Sequence, residues 1–490
     1  EDYFHVMQQY DGACGGMIWE WCDHAIEKGH TISGKKMYAY GGDHGEFPHD
    51  GNFCMDGLVY PDRRPHTGLL EFKNVHRPCR IVSVDSDTSV IKIHNYMDFL
   101  NLKDYCYLCW EVSQDGKKLT EGLINHVGLL DIPPHQEGSV KLQLPKLQEG
   151  KCYLKVSWIL KADMGTLPAG TDLGFDEVLL STQGSQTAMS AKLLQKPFTG
   201  TSAAIAAKED DRFLTLQSDA FCYTYDKFAG TFSRMVNRNR TVLERPMEFN
   251  IWRAPTDNDR TIRRVWSDVQ YDRPIVRTYS TEHTAGEENG QSYVEIRTRL
   301  SLAPVYMQRI MDICGVWRIW GDGSLDARLE VKKNPVFPRL PRFGIRMMLP
   351  KDMTQVEYYG LGPTESYTDK CRASYHGLFR ETVDSLFEDY IFPQENGSHW
   401  DTDFVTVAGR DLALSAVSSV PFSFNASRYT QEELTAKAHN YELVPSEYTV
   451  LCIDYKQDGI GSNSCGPEPE EQYRFTENEF DFSFGLRFEG

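Results

Sequence analysis

This 490-residue sequence lacks a long apolar run, a recognisable signal peptide at its start and an excess of basic residues. No run of apolar residues approaches the roughly 18 that a membrane span requires, so we expect no membrane-spanning helix. The sequence opens with Glu-Asp-Tyr-Phe, which lacks the basic and apolar regions of a signal peptide. Lys and Arg number 52 against 70 Asp and Glu, and the resulting formal charge of −18 argues against nucleic-acid binding.

The twelve cysteines contain no pair of C-x-x-C motifs at zinc-ribbon spacing. Cys106 and Cys109 form a single C-x-x-C, but in a strand their side chains would point to opposite faces, which disfavours a redox or metal role. Reduced cysteines that pack as small apolar residues are the simpler interpretation. Because reduced cysteines are typical of the cytoplasm, we expect a cytoplasmic location, although a signal could lie in sequence that precedes residue 1.

Residues 1–80 combine helical and strand patterns. Tyr3, Met7 and Tyr10 recur at helical spacing, and Gly15–Trp21 is typical of a short buried strand. A connection of about 40 residues follows, and a structureless connection of that length is usually functional. Pro65 then suits the first turn of a helix. This order of elements, a helix, a buried strand, a long connection and a second helix, is typical of the end of a (β/α)8 barrel.

From residue 81 the hydrophobic period changes to two, as in β-strands. Cys106–Val112 and Cys152–Trp158 alternate between apolar and other residues, and Asp115-Gly116 is a hairpin turn pair. About 100 residues of short strands with such turns predict an immunoglobulin-like β-sandwich.

We therefore predict a mainly β protein in three parts joined by one linker. The parts are the C-terminal end of a (β/α)8 barrel over 1–80, the immunoglobulin-like sandwich over 81–182, and a large two-sheet β-domain over 211–490. Residues 183–210, rich in Ser, Thr, Gly, Ala and Gln, indicate a linker that runs over the surface.

Aromatic and acidic residues cluster where the predicted barrel strand ends, which is the end that carries the site in parallel-barrel enzymes. Trp19 and Trp21 offer flat apolar faces that suit the C–H face of a pyranose, although both could instead fill the barrel interior. The next segment adds acids and histidines that could hold a substrate or a hard cation: Asp43, His44, Glu46, His49, Asp50 and Asp56. A zinc site of His44, His49 and Cys54 is a second interpretation, but that spacing matches no standard site.

Several motifs in one order make the resemblance specific. Residues 15–26 read GGMIWEWCDHAI and 39–66 read AYGGDHGEFPHDGNFCMDGLVYPDRRPH; both closely resemble the end of the catalytic barrel in LacZ-type β-galactosidases of glycoside hydrolase family 2. Five later motifs are similar to those of that family's large C-terminal β-domain: WRAPTDND at 252–259, YYGLGPTESYTDK at 358–370, FPQENGSHWDTDF at 392–404, FNASRYTQEEL at 424–434 and GIGSNSCGPEP at 459–469. The resemblance covers essentially the whole sequence.

The resemblance implies retaining hydrolysis of terminal non-reducing β-D-galactosides, with a galactose-mutarotase-like sandwich as the large domain. Such hydrolysis needs two carboxyl groups, a nucleophile and an acid/base. In the family both are glutamates on earlier barrel strands, so we expect no catalytic residue in this chain. Glu20 could be proposed as a substitute, but the residue fits an ordinary barrel position better. The family's magnesium ligands also belong to earlier sequence.

Several residues of this sequence match positions of the family's sugar site. Trp19 matches the tryptophan that packs against galactose, and Phe53 matches the residue whose backbone carbonyl binds a sodium ion. Asp56 stands where the best-known member has an asparagine ligand to that sodium, and a carboxylate there could change the ion preference. Cys465 replaces a tryptophan that in some members forms a platform for the leaving group. The resemblance thus implies substrate binding by Trp19, Asp50, Asp56 and Cys465, and a partial sodium site at Phe53 and Asp56.

Two hypotheses describe how the chain works. In the first, it is part of a β-galactosidase, either a portion of a longer chain or the small chain of a split enzyme, and needs the missing N-terminal part of the enzyme. In the second, it is a non-catalytic carbohydrate-binding or scaffold protein. A single βα unit cannot pair its own strand, which favours the first hypothesis. The expected partners are a galactoside, that N-terminal part and further copies in a homo-oligomer, with no nucleic acid or membrane.

Overall fold

The computed structural model describes residues 1–147, 149–181, 187–195 and 204–489. Within them the helices are α1 (Asp2–Gln8), α2 (Thr67–Val75), α3 (Leu102–Tyr105), α4 (Ala188–Leu194), α5 (Ile262–Asp268) and α6 (Gln431–Ala436). No described helix is long and apolar enough to cross a membrane.

The first fourteen strands are short. They are β1 (Ile26–His30), β2 (Lys36–Ala39), β3 (Cys79–Asp85), β4 (Val90–Asn95), β5 (Cys106–Gln114), β6 (Lys117–Ile124), β7 (Glu137–Lys141), β8 (Cys152–Leu160), β9 (Asp172–Ser181), β10 (Ala206–Glu209), β11 (Phe213–Gln217), β12 (Phe221–Asp226), β13 (Thr231–Asn237) and β14 (Arg240–Thr241).

Several of the remaining strands are longer. They are β15 (Glu248–Asn250), β16 (Ile275–Glu288), β17 (Gln291–Ala303), β18 (Met311–Trp320), β19 (Leu325–Lys333), β20 (Arg342–Pro350), β21 (Gln355–Gly362), β22 (Tyr375–Thr382), β23 (Ser398–Ala408), β24 (Ala413–Ser427), β25 (Tyr448–Gln457) and β26 (Glu479–Glu489).

The chain divides into two compact units. The first contains Glu1–Ile26, Ala39–Ala188 and Arg372–Leu378, and the second contains Glu27–Tyr38, Met189–Cys371 and Phe379–Gly490.

The immunoglobulin-like sandwich lies in the first unit and confirms that part of the predicted fold class. Its two antiparallel sheets have the orders β3-β4-β7 and β6-β5-β8-β9. Alternate residues of β5 and β8 are buried, and one apolar core joins Ile91 of the first sheet to Trp158 of the second. The β5–β6 hairpin turns at Asp115 and Gly116, both with positive φ, as the Asp-Gly pair predicted.

Residues 372–378 also pack within the first unit. The backbone N–H of His376 donates to Glu177 Oε1 at 2.8 Å, and its ring stacks on Tyr153 at 4.3 Å between centroids. The Lys155 ammonium lies 3.5 Å from the centroid of the Tyr375 ring. These contacts tie seven residues from late in the chain to the four-stranded sheet.

Two sheets form most of the second unit, as predicted for a large two-sheet β-domain. One has the order β10-β11-β12-β13-β14, and the other holds twelve strands along the path β15-β20-β25-β24-β26-β19-β18-β17-β16 with β21, β22 and β23 attached. Side chains of both sheets, including Tyr223 and Trp317, share one apolar core. Of the predicted linker 183–210, residues 183–186 and 196–203 lie outside the described residues, while α4 and β10 occupy parts of the rest.

The barrel end differs from the sequence prediction in two respects. Gly15–Trp21 is not a buried strand: Trp19 is 78% and Trp21 60% exposed, and the residues are not in a regular element. A barrel strand needs a partner on each side, whereas within the part of the chain that the structure describes this segment pairs on one side, with residues 56–59. The connection is also not structureless, because β1 and β2 form a hairpin within it. α1 and α2 do form where helices were predicted, α2 starting at Thr67 just after Pro65.

Candidate functional site

Residues 19–23 lie beside residues 54–59 in the first unit. The backbone N–H of Glu20 donates to the Asp56 carbonyl at 3.3 Å, and the N–H of Leu58 donates to the Glu20 carbonyl at 2.9 Å. Val59 continues the pairing by donating to the Trp21 carbonyl at 3.0 Å. The two segments, which contain several of the site residues predicted from the sequence, are therefore adjacent.

A buried Asp–His pair fixes this arrangement. Asp23 Oδ2 lies 2.8 Å from His66 Nε2, and both residues are buried. Asp23 Oδ1 accepts the N–H of Gly57 at 2.9 Å, and a Cβ on Gly57 would lie 2.1 Å from the backbone nitrogen of Asp23. The His66 ring in turn stacks on Tyr60 at 3.7 Å. Sequence reasoning did not single out His66, because nothing local relates it to a residue 43 positions earlier.

Asp56 is the most perturbed group of the site. Its Oδ1 is buried and has no hydrogen-bond partner among the described residues. Burial, and next the nearby Glu20 carboxylate, raise the pKa of Asp56 to about 6. A carboxylate oxygen that is buried without a donor is costly unless it is protonated or meets a cation or ligand donor.

Other acids of the segment bind its own backbone. Asp43 Oδ2 accepts the N–H of Tyr40 at 2.8 Å, while Glu46 accepts the N–H groups of Gly42 and His44. These backbone hydrogen bonds, chiefly the one from Gly42, lower the pKa of Glu46. Such carboxylates shape the loop, so the polar density noted in the sequence is largely structural.

The remaining predicted residues of this segment surround a short 3-10 helix, Gly51–Cys54. Asp50 is exposed and precedes it, and its carbonyl accepts the N–H of Phe53 at 3.2 Å. Phe53 is half-buried within that helix. The Cys54 thiol donates to the Gly51 carbonyl at 3.4 Å, and burial raises its pKa. Across the described ranges, no group of three His, Cys, Asp or Glu side chains could hold a metal ion, so the zinc interpretation gains no support.

Trp19 extends into solvent at the edge of the site. Its 78% exposure leaves the indole face free of protein contacts on most sides. Trp21, two residues on, is 60% exposed. Both rings are thus accessible, in contrast to the alternative in which they fill an interior.

Cys465 belongs to the second unit and is exposed. The residue follows β25 in a loop that contains no regular strand. Its neighbour Ser464 donates through Oγ to Asp257 Oδ2 at 2.7 Å. The structure therefore places Cys465 on an exposed but tethered loop.

Three family models together match most of the chain. The model described as "Beta galactosidase small chain" matches residues 217–486, "Glycosyl hydrolases family 2, TIM barrel domain" matches 1–81, and "Beta-galactosidase, domain 4" matches 91–181. Their order agrees with the three parts of the predicted fold class.

Curated relatives show the same likeness. The β-galactosidase of Actinobacillus pleuropneumoniae is 40% identical over 489 residues, which cover 100% of this chain and 46% of the relative. That of Staphylococcus xylosus is 33% identical, with 99% of this chain and 47% of the relative covered. The chain thus spans about half the length of these relatives.

Among solved structures, galactose 1-epimerase from Lactobacillus acidophilus covers 59% of this chain and 99% of its own, with 8% identity and a TM-score of 0.32. The match to the small-chain model spans more than half of the sequence. The chain therefore belongs to the β-galactosidase small-chain family, within the LacZ-type enzymes of glycoside hydrolase family 2.

Proposed function

We propose that this chain forms one wall of the sugar site of a retaining β-galactosidase that hydrolyses terminal non-reducing β-D-galactosides. The nucleophile and the acid/base glutamate are supplied by residues outside this sequence. Retaining hydrolysis requires those two carboxyl groups about 5–5.5 Å apart. The relatives' roughly twofold greater length supports a missing N-terminal part, present either in a longer chain or in a partner subunit.

The observation that carries this proposal is Asp56 Oδ1, for which the described residues provide no hydrogen-bond partner, beside the Trp19–Glu20 segment. A sugar hydroxyl can donate to that oxygen, and the accessible Trp19 face can pack against the apolar face of a pyranose. Asp50, exposed on the neighbouring turn, is a further contact for a hydroxyl group. Cys465, which lies in the second unit, is proposed from the family resemblance alone as a contact for the leaving group.

Phe53 and Asp56 fit a partial sodium site. The Asp56 Oδ1 supplies a hard oxygen that lacks a donor, and the Phe53 carbonyl belongs to the adjacent short helix. When bound there, sodium would offer a positive charge to the 6-hydroxyl of the sugar. The magnesium implied by the family would be held by residues outside this sequence.

Cytoplasmic location and assembly into a homo-oligomer complete the proposal. The free cysteines support the first, since an oxidising compartment would favour pairing. The second rests on the family resemblance. A non-catalytic carbohydrate-binding protein is the alternative that the following experiment addresses.

The test is complementation. The purified 490-residue chain is assayed on a nitrophenyl β-galactoside alone and with the portion of the A. pleuropneumoniae enzyme that it does not match. We expect turnover only in the mixture. Turnover by the chain alone would refute the assignment of the glutamates, and galactoside binding without turnover in a stable complex would favour the alternative.

Trp19 and Trp21 provide a matched pair for the same assay. Because stacking on a sugar contributes about 1.4 kcal/mol, we expect Trp19→Ala to raise KM about tenfold. Trp21→Ala removes an indole of similar exposure from the same segment and should leave KM within about twofold. Equal increases in KM for both variants would contradict the role proposed for Trp19.

A further inference from the structure

His66 caps the start of α2 and is bonded to the segment that follows Asp56. Its side chain is 10% exposed, and its backbone N–H donates to the Leu58 carbonyl at 3.0 Å. Its own carbonyl accepts the N–H of Leu69 at 3.0 Å, within the first turn of the helix. The backbone of His66 therefore connects α2 to the residues next to Asp56.

The His66 side chain reaches the same segment by a second route, through Asp23. His66 Nε2 lies 2.8 Å from Asp23 Oδ2, and because an ionised carboxylate can only accept, Nε2 is the donor. The other carboxylate oxygen, Oδ1, accepts the N–H of Gly57 at 2.9 Å. Asp23 therefore links the imidazole to the peptide group that joins Asp56 to Gly57.

The packing around these bonds leaves little space for movement. A Cβ on Gly57 would lie 2.1 Å from the Asp23 nitrogen and 2.4 Å from the Cys22 carbonyl carbon, so the two backbones are in direct contact. The His66 ring stacks on the buried Tyr60 ring, with 3.7 Å between centroids and 25° between planes. Because such packing resists deformation, a change at the imidazole would shift Asp23 and with it Gly57.

Asp56 depends on this support from its neighbours. Among the described residues no group donates to Asp56 Oδ1, so no bond to that oxygen fixes the side chain. The backbone is held by the Glu20 N–H, 3.3 Å from the Asp56 carbonyl, and by the bond from Gly57 to Asp23. The bond from Gly57 is shorter and is accepted by a charged group, so it is the stronger of the two.

We infer that His66 is a positioning residue for Asp56, and that it thereby sets how strongly the enzyme prefers galactosides that carry a 6-hydroxyl. This inference rests on the proposed function, in which Asp56 faces the sugar and the sodium beside it meets the 6-hydroxyl. A hydrogen bond to a charged group can change kcat/KM about tenfold, and a displacement of about 1 Å is enough to lose it. His66 itself contacts no sugar in this assignment and acts through Asp23 and Gly57.

The experiment compares nitrophenyl β-D-galactoside with its 6-deoxy analogue in the complemented enzyme. His66→Phe keeps a flat ring against Tyr60 and removes the donor to Asp23. We expect it to lower the ratio of kcat/KM for the galactoside to that for the 6-deoxy analogue about tenfold, mainly through a higher KM for the galactoside. His66→Gln keeps a donor near the position of Nε2 and should hold the ratio within about twofold of the wild type.

Hydrogen exchange gives a second readout that needs neither turnover nor bound sodium. The Gly57 amide is protected by its bond to Asp23. In choline salts we expect its exchange to accelerate in His66→Phe and to stay near the wild-type rate in His66→Gln. If His66→Phe does not fold, Asp23→Asn takes its place, because asparagine keeps the shape, removes the charge that strengthens the bond from Gly57, and should lower the ratio about threefold.

His376→Phe is the matched control. The His376 ring also meets a carboxylate, with Nδ1 2.7 Å from Glu177 Oε2, and it also stacks on a tyrosine, Tyr153, at 4.3 Å between centroids. Its side chain is 10% exposed, like that of His66, and both residues belong to the first unit. The control should change neither the substrate ratio nor the exchange of the Gly57 amide.

The outcomes separate the two levels of the proposal. A wild-type mixture without turnover would refute the proposed function and this inference with it. Turnover in which His66→Phe slows both substrates by the same factor would overturn this inference alone, as would a ratio for His66→Gln as low as that for His66→Phe. A lower ratio in His66→Phe, restored in His66→Gln and accompanied by faster exchange of the Gly57 amide, would establish it.

Discussion

We expect Asp56→Asn to stabilise the first unit at neutral pH and not at acidic pH. Asp56 Oδ1 is buried and has no hydrogen-bond partner in the described part of the chain, and burial, followed by the Glu20 carboxylate, raises the pKa of Asp56 from 3.8 to about 6. The folded state therefore prefers the protonated form. Asparagine keeps the shape and removes the charge, so it removes the cost of ionisation.

The size of this effect follows from the shift. About two pKa units at 1.36 kcal/mol each give an upper bound of about 3 kcal/mol, and solvent screening of this half-buried group reduces it to about 1–2 kcal/mol. Below pH 3.8 Asp56 is protonated in both the folded and the unfolded protein, so its ionisation costs no stability. Above that pH the loss of stability grows until Asp56 ionises in the folded protein near pH 6. Asparagine does not titrate, so the variant becomes more stable than the wild type as the pH rises through this window.

Urea unfolding followed by tryptophan fluorescence at pH 4 and pH 7.5 measures the difference. Choline salts replace sodium salts, because a bound cation would offset the charge. The exposed Asp50 of the same segment gives the control Asp50→Asn, which we expect to change stability by less than about 0.5 kcal/mol at either pH. A gain for Asp56→Asn of the same size at both pH values would refute the electrostatic reasoning.

Two further predictions concern buried polar groups. The pKa of Glu365 is lowered to about 2, because Lys370, Tyr390 and the Gly397 amide outweigh its burial. We expect Glu365→Gln to cost about 3 kcal/mol at pH 7 in urea unfolding, with the difference lost as pH falls through about 4 toward 2; a constant difference would contradict this. Trp158→Phe removes the 2.9 Å indole bond to Asp176, so calorimetry should show a loss of about 2 kcal/mol, and an unchanged Tm would exclude the bond's role.

The sandwich could be predicted because its information is local. Alternation in Cys106–Val112 and Cys152–Trp158 follows directly from the two faces of a strand, one of which meets the core. The Asp115-Gly116 turn requires positive φ at both positions, and these residue types tolerate that conformation. These patterns depend only on residues that are close together in the sequence.

Gly15–Trp21 shows where that approach fails. Its apolar residues fit a buried strand, but burial depends on neighbouring strands, and among the described residues the segment forms ladder-like backbone hydrogen bonds with 56–59 alone. The β1–β2 hairpin was missed for the opposite reason. All but one residue of β1 are exposed, so no apolar alternation marks the strand, and the hairpin is held by backbone bonds around Thr31 and Lys35.

The candidate site was only partly predictable for a related reason. Asp56 could be noted as an acid of this segment, but the sequence does not reveal that Asp23 lies within hydrogen-bond distance of His66, or that Asp56 Oδ1 has no donor among the described residues. The distinction depends on which partner the fold brings within 3 Å. It is also the distinction that separates a structural acid from a candidate ligand.

The motifs of the large domain have a common physical explanation. Asp259, Asp369 and Arg253 resemble catalytic residue types, yet their side chains form hydrogen bonds with backbone groups or with a neighbouring charge. A loop without strand pairing demands such charged anchors, and anchors of fixed geometry allow little substitution. Cys465 is exposed, and no hydrogen bond of its thiol is found among the described residues, so a substitution at this position would leave the anchoring bonds in place.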